Sequence, residues 1–168
     1  MLLHSLILFY GGVPLIYMGD ELGLSNDFSY LQDPTKADDS RWMHRPAMNW
    51  AIAASRHDPT QVAGRIYRGL CKLINTRKAV PALHTLSLIQ PMWTDNNHVF
   101  GLARRSPRGN LMLFANFHQA EQSVKADLIY FSGLKGNVNN LLTGADLAIA
   151  NDRIYLQPYE SIWLMGDG

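Results

Sequence analysis

Residues 11–21 read Gly-Gly-Val-Pro-Leu-Ile-Tyr-Met-Gly-Asp-Glu, and no other segment limits the possible folds so strongly. The glycines and Pro14 make a turn, and the run Leu15 to Met18 has no polar alternation. That pattern predicts a short strand buried on both faces, as in a parallel sheet. The strand empties at Gly19 into a long loop dense in charge and aromatic rings, which includes Asp38-Asp39-Ser40-Arg41-Trp42-Met43-His44-Arg45-Pro46. A buried parallel strand opening onto such a loop is the layout of the functional rim of an α/β barrel.

The segment from Met1 to Met18 is nearly all apolar, yet it reads as neither a leader nor a membrane span. It has no basic stretch before the apolar run and no small-residue cleavage site after it. Gly11, Gly12 and Pro14 also interrupt it short of the roughly 20 residues a span needs. Leu2 to Tyr10 is predicted as the end of a buried helix. An N-terminal stretch this hydrophobic is expected of a segment cut from a larger barrel.

From Gly19 to His57 no regular period persists. Phe28, Tyr30, Trp42, Met48 and Trp50 give this stretch too much apolar surface for a solvated linker, so an ordered functional loop is expected. It ends in a helix-start pattern, with Asp58 as N-cap, Pro59 at the first helical position and Gln61 completing a capping box. The helix is predicted to run to about Ala79. Ala63, Ile66, Tyr67, Leu70, Cys71 and Ile74 form its apolar stripe, and Arg77 and Lys78 suit the negative end of its dipole. The single cysteine, Cys71, excludes an internal disulfide and is expected to be buried.

After Pro81 the grammar changes to short strands. Val99 to Ala103 and Leu111 to Phe117 flank the turn signal Ser106-Pro107-Arg108-Gly109-Asn110. Further strands are expected at Leu86 to Trp93, Val124 to Ile129, Val138 to Leu142, Arg153 to Leu156 and Ser161 to Met165, a spacing that suggests an antiparallel sandwich. The charges Arg104, Arg105 and Arg108 read as a solvated hairpin tip. With 168 residues and 47% hydrophobic content the chain can build an ordinary core. Its 15 basic and 14 acidic residues give no electrostatic footprint for nucleic acid or an anionic membrane, so neither is expected as a partner.

The six histidines are scattered, with no H-E-x-x-H and no cysteine pair, so no metal or cofactor site is expected. No phosphate-cradling loop ending in Gly-Lys-Ser/Thr and no G-x-S-x-G elbow occurs. Asp20 and Glu21 form the obvious carboxylate pair. Retaining glycoside chemistry requires two carboxyls converging at roughly 5 to 5.5 Å across one bond, whereas neighbours leaving a strand point apart. They read as groups that tie down the loop through backbone N–H groups. Arg41 reads either as a ligand-binding fork or as a loop-organising partner of Asp38 or Asp39. Trp42 and Trp50 read as packing beneath the loop in preference to stacking on a ring.

The stretch Gly12 to Gly23 resembles the eighth barrel strand of the α-amylase superfamily, whose members carry Gly-x-Pro-x-Ile-Tyr-x-Gly-x-Glu there. Asp38 to Trp50 narrows the resemblance to the amylosucrase branch, the sucrose-using α-glucan glucosyltransferases. Gln61 to Ala79 is similar to the last barrel helix, and the strands after Pro81, ending in Leu156 to Trp163, to the C-terminal β-sandwich. The resemblance implies an α/β plus all-β chain: residues 1–82 as the last helix-strand-helix of a (β/α)8 TIM barrel with the loop after strand eight, and residues 83–168 as an antiparallel β-sandwich.

The family's nucleophile, acid/base and transition-state-stabilising carboxylates lie on earlier strands, so the resemblance assigns no catalytic residue here. It implies an inactive isolated chain whose partner is the missing N-terminal barrel. In the intact enzyme it implies sucrose and α-glucan as substrates, retaining glucosyl transfer, and no cofactor. An arginine at the closed end of the family's sucrose pocket maps onto Arg41, with Arg45 as second candidate. An α-glucosidase or α-amylase fragment, and a non-catalytic carbohydrate-binding or structural sandwich, are the other readings.

Overall fold

The computed structural model describes residues 1–84 and 86–166. The chain forms two compact units. One comprises Met1–Pro14 together with the chain from Lys72 onward, and the other comprises Leu15–Cys71.

The first unit is built on a six-stranded antiparallel sheet. Its strands are β1 (Leu88–Met92), β2 (Val99–Ser106), β3 (Gly109–Asn116), β5 (Val138–Asn140), β6 (Ala145–Asp146) and β8 (Ser161–Gly166). They lie in the order β1-β2-β3-β8-β5-β6, while β4 (Gln122–Lys125) pairs with β7 (Arg153–Leu156) in a second, two-stranded sheet. In β3, Leu111, Leu113 and Ala115 enter one core, and Met112 and Phe114 enter another on the opposite face. Burial on both faces explains why Leu111 to Ala115 is a continuous apolar run without alternation.

Helix α1 (Leu2–Tyr10) packs on the first face, where Leu8, Phe9, Leu83, Leu102 and Trp163 share a core. The Phe9 and Trp163 rings lie 5.5 Å apart, tilted by 58°. Trp163 Nε1 donates to Ser5 Oγ at 2.8 Å, which satisfies the one polar atom that the buried indole carries. The opposite face is covered by β4, β7 and a short helix, α4 (Leu128–Phe131), through Val124, Ile129, Ile154 and Leu156.

Adjacent side chains of a strand point to opposite faces, and β2 uses this to hold two helix ends. Arg104, 2% exposed, donates to Phe9 O at 2.5 Å, Leu83 O at 3.3 Å and Ser87 Oγ at 2.9 Å. Arg105 reaches the other way, to Phe131 O at 2.6 Å and Ser132 O at 3.4 Å, at the end of α4. Arg77 donates to Leu8 O and, at 2.9 Å, to Gly12 O. The last carbonyls of a helix lack intrahelical donors and carry the negative end of its dipole, so guanidinium groups suit both ends. Desolvation, followed by the like charge of Arg77, lowers the pKa of Arg104, and desolvation lowers that of Arg77. The expected solvated tip is therefore corrected: only Arg108 sits on the turn, because the antiparallel register pairs Ser106 with Gly109 and leaves a two-residue loop.

Other expectations change as well. Leu15 to Met18 forms no strand, and among the described residues no (β/α)8 barrel is present. A strand exists only through ladder bonds to neighbours, and none of the described residues pairs with this segment; Val13 is 97% and Leu15 78% exposed. The expected strand Val124 to Ile129 stops at Lys125, because Ala126 and Asp127 turn the chain into α4. Cys71 is half-buried. Among the described residues no helix is long and apolar enough to cross a membrane.

Candidate functional site

The unit Leu15–Cys71 carries the loop singled out by its motifs, and the chain there is a series of single turns. Gly19 (φ 99°) and Gly23 (φ 67°) flank a 3-10 turn at Asp20–Leu22. Both sit in the left-handed region, where a Cβ is strained, and at Gly23 a Cβ would also run into the Ile66 side chain. Glu21 Oε2 accepts from Gly19 N at 2.8 Å and Asp20 Oδ2 from Tyr17 N at 3.3 Å. The two carboxylates thus hold their own turn together, as their adjacency predicts.

Asp27 N donates to Met43 O at 2.9 Å, and His44 Nδ1 lies 3.2 Å from Asn26 Oδ1, so residues 26–27 and 43–44 close the loop. Tyr17, Gly19, Asp20, Asn26, His44 and Pro46 line a cavity of about 270 Å³ against this closure. Asp33 accepts from Thr35 N and Thr35 Oγ1 and pairs with Lys36 at 2.9 Å. Those contacts, the Thr35 hydroxyl first, hold its pKa down at about 2.

Asp39 caps the 3-10 turn Ser40–His44 by accepting from Arg41 N at 3.0 Å. The Arg41 guanidinium returns to the same carboxylate as a fork, Nε to Oδ1 at 2.8 Å and Nη2 to Oδ2 at 2.8 Å. This contact lowers the pKa of Asp39 and raises that of Arg41. The Arg41 side chain is still 75% exposed, so the pair stands open at the surface. Arg45 lies with Cζ 5.5 Å from the Trp42 ring, and Lys36 Nζ is 5.2 Å from the same ring. Trp42 therefore serves as a half-buried platform for two cations. Trp50 departs from the expected packing beneath the loop: it is 77% exposed at the first position of α2 (Trp50–Ala54), the short helix that Asn49 caps by accepting from Ala51 N and Ile52 N.

Helix α3 (Val62–Ala79) begins later than the capping box predicts. Asp58 spends its carboxylate on Thr60 N at 2.9 Å and Thr60 Oγ1 at 2.7 Å, which makes a separate turn before the helix. Ala63 and Leu70 of the expected stripe are fully buried, and Ile66, Tyr67 and Cys71 are half-buried. Among the described residues no three His, Cys, Asp or Glu side chains converge on a point that could hold a metal ion.

Asn116 escaped sequence reasoning entirely. It is fully buried at the end of β3, donates to Ala120 O at 3.0 Å, Leu156 O at 3.3 Å and Gln157 O at 2.9 Å, and accepts from His118 N at 2.8 Å. One amide thereby binds β3 to the end of β7, and no local pattern announces it.

The sheet unit, an antiparallel sandwich with helices, has the architecture of the C-terminal domain of α-amylase-family enzymes. Residues 90–165 match the family described as amylosucrase, C-terminal domain, which identifies that stretch as a domain of the amylosucrase C-terminal type. Solved structures share the fold. A crystal structure of AmyP in complex with maltotriose superimposes with a TM-score of 0.75 at 19% identity, covering 99% of this chain and 34% of the other. A trehalulose synthase, MutB, in complex with Tris gives 0.67 at 20% identity over 98% and 37%. The trehalose-6-phosphate hydrolase of Bacillus licheniformis gives 0.64 at 18% over 98% and 38%. The chain thus spans little more than a third of the length of these proteins.

Proposed function

We propose that this chain is the C-terminal portion of a sucrose-using α-glucan glucosyltransferase. The observation that carries the reading is the amylosucrase C-terminal match at 90–165, and the Asp38 to Trp50 loop supports it from outside that match. In this reading residues 1–82 complete a (β/α)8 barrel as its last helix-strand-helix, and residues 83–168 form the sandwich. Leu15 to Met18 then obtains its ladder partners from barrel strands outside these 168 residues, which accounts for its apolar character.

The intact enzyme would transfer glucose from sucrose to an α-glucan with retention. One carboxylate of the preceding barrel would displace fructose, whose departing oxygen takes a proton from a second carboxyl, and the glucan hydroxyl would then displace the first carboxylate while giving its proton back to the second. Arg41 is the residue of this chain that borders the donor pocket. Its guanidinium already makes a planar two-point contact with Asp39, and the same fork suits a carboxylate of the barrel or the hydroxyls of a sugar. Arg45, 5.5 Å from Trp42, is the second candidate.

The test is kcat/KM for sucrose in the intact enzyme and in its Arg41→Ala, Arg41→Lys and Arg45→Ala variants, with product anomers read by NMR. Arg41→Ala should cost about 2 to 5 kcal/mol, because it leaves a partly desolvated carboxylate unpaired, and lysine should fail to rescue it. Near-normal kinetics in Arg41→Ala would remove it from the pocket. Turnover of maltose in place of sucrose by the intact enzyme would replace the transferase reading with a hydrolase one.

A further inference from the structure

The turn between β2 and β3, the segment after α4 and the end of β8 enclose a cavity of about 510 Å³. Arg108 lines it from the turn, Leu134 and Lys135 from the segment after α4, and Met165 from β8. The two cations are the only charged side chains of its lining among the described residues. None of its lining residues belongs to the loop around Arg41.

The backbone that carries these groups is fixed by short contacts. Ser106 Oγ accepts from Arg108 N at 3.2 Å and donates to Gly109 O at 2.9 Å, which sets the two-residue turn. Gly109 has a positive φ of 123°, which L side chains rarely adopt, and a Cβ there would come within 3.1 Å of Met165 Cε. Asn110 Nδ2 donates to Gly133 O at 2.9 Å and so ties the hairpin to the segment after α4. At Gly166 a Cβ would run into the Lys135 carbonyl, so β8 passes directly against that segment. Arg108 and Lys135 therefore leave from held backbone while their side chains stay exposed, which limits the freedom lost when a ligand binds.

The polar groups decide which ligand fits. Neither Arg108 nor Lys135 forms an ion pair among the described residues, so two like charges line one cavity without a counter-charge. A bound anion removes that repulsion. Leu134 supplies a second, independent signal. It is 3% exposed, and its backbone N–H donates to no acceptor among the described residues. Buried backbone N–H groups are nearly always paired, so this one calls for an acceptor from outside the chain. The ligand must then offer an acceptor to an amide and negative charge to two cations at once. A phosphate does so, because its oxygens only accept when ionised and point in tetrahedral directions, whereas a carboxylate presents two oxygens in one plane. A metal ion would face two positive charges, and no aromatic ring lines the cavity on which a sugar could stack.

We propose that this cavity binds a phosphate group, with Arg108 and Lys135 on its oxygens and the Leu134 N–H donating to one of them. Free phosphate and a small phosphate monoester share this chemistry, and Pro107 and Met165 offer apolar surface to the body of an ester. The site stands independently of the reading given under Proposed function.

The experiment titrates the 168-residue chain with inorganic phosphate and, separately, with glycerol 3-phosphate, with sodium chloride at matched ionic strength as control, and follows backbone amide shifts by NMR. Phosphate should move the amides of Arg108 to Asn110 and Gly133 to Lys135 saturably, with Leu134 shifting downfield as it gains an acceptor. Arg108→Gln and Lys135→Gln should each weaken binding about tenfold. Melting should be unchanged in both, because the side chains are exposed. Equal binding of the two ligands assigns the site to free phosphate, and tighter binding of glycerol 3-phosphate assigns it to a monoester. Absence of a saturable shift, an equal response to chloride, or undiminished binding in the double variant overturns the proposal. Asp167, which follows Gly166, lies outside the described residues. If phosphate binds only after Asp167→Asn, its carboxylate already neutralises the two cations, and the proposal fails for this chain. Because no turnover is read, each outcome is independent of whether the intact enzyme uses sucrose.

Discussion

Replacing Arg104 by methionine keeps most of the side-chain volume and removes every hydrogen bond the guanidinium makes. Phe9 O and Leu83 O then lose a donor in the buried core, and Ser87 Oγ loses one at its half-buried edge. A buried acceptor left without a partner costs about 1 to 3 kcal/mol. Phe9 O, bonded at 2.5 Å, sits at the upper end of that range, whereas Leu83 O, at 3.3 Å, sits at the lower. An opposing term exists: desolvation and Arg77 disfavour the charged group where it stands, and methionine relieves that. Balancing the two gives a net loss of about 2 to 4 kcal/mol, with a fall in Tm of roughly 5 to 15 °C for a chain of this size. Arg104→Lys should recover only part of it, because one ammonium cannot span all three acceptors. The assay is urea unfolding followed by tryptophan fluorescence, with Trp163 reporting on the α1 core, and a shift of midpoint at constant slope is expected. Stability within about 0.5 kcal/mol of wild type, or above it, would refute the argument and make Arg104 a buried charge that the fold carries at a loss.

Asn116→Ala should cost about 2 to 4 kcal/mol, since it strips partners from three carbonyls and one N–H; a loss under about 1 kcal/mol by the same unfolding assay would show that water replaces the amide. Asp33 has a folded pKa of about 2 against an ordinary 3.8. Its lowered value means that its contribution is present above pH 3.8 and is lost as the pH falls through about 2, and Asp27, Asp39 and Asp58 shift in the same direction. Carboxyl NMR titration should place Asp33 near 2, and a midpoint at 3.8 would dissolve the Thr35–Lys36 cradle.

What the sequence reveals follows the range of the interactions that decide each element. Helix α1, from Leu2 to Tyr10, is legible because an apolar run stopped by Gly11 is a local signal. The β2–β3 hairpin and strands β7 and β8 are legible because alternation and turn residues lie side by side. Leu15 to Met18 reads as a strand but forms none here, since ladder bonds come from neighbours and not from propensity. The two arginines of β2 were misread because their partners, Phe9 and Phe131, are far along the chain. At the candidate site, the motif located Arg41 and Arg45 but not the Asp39 fork as opposed to Asp38, which depends on the cap geometry of one turn.

The span in sequence between α1 and its partners has a kinetic consequence. Ser5 is bound by Trp163, and Phe9 by Arg104, so α1 waits until the chain has been made through β8 before its carbonyls and apolar face are covered. Such long loop closures slow folding and prolong the life of exposed, sticky intermediates. During synthesis, then, α1 is secured long after it is made, and a holdase that shields Leu2 to Tyr10 would raise the yield of native chain more than one acting on the β2–β3 hairpin, whose two strands are neighbours and can pair as soon as they emerge.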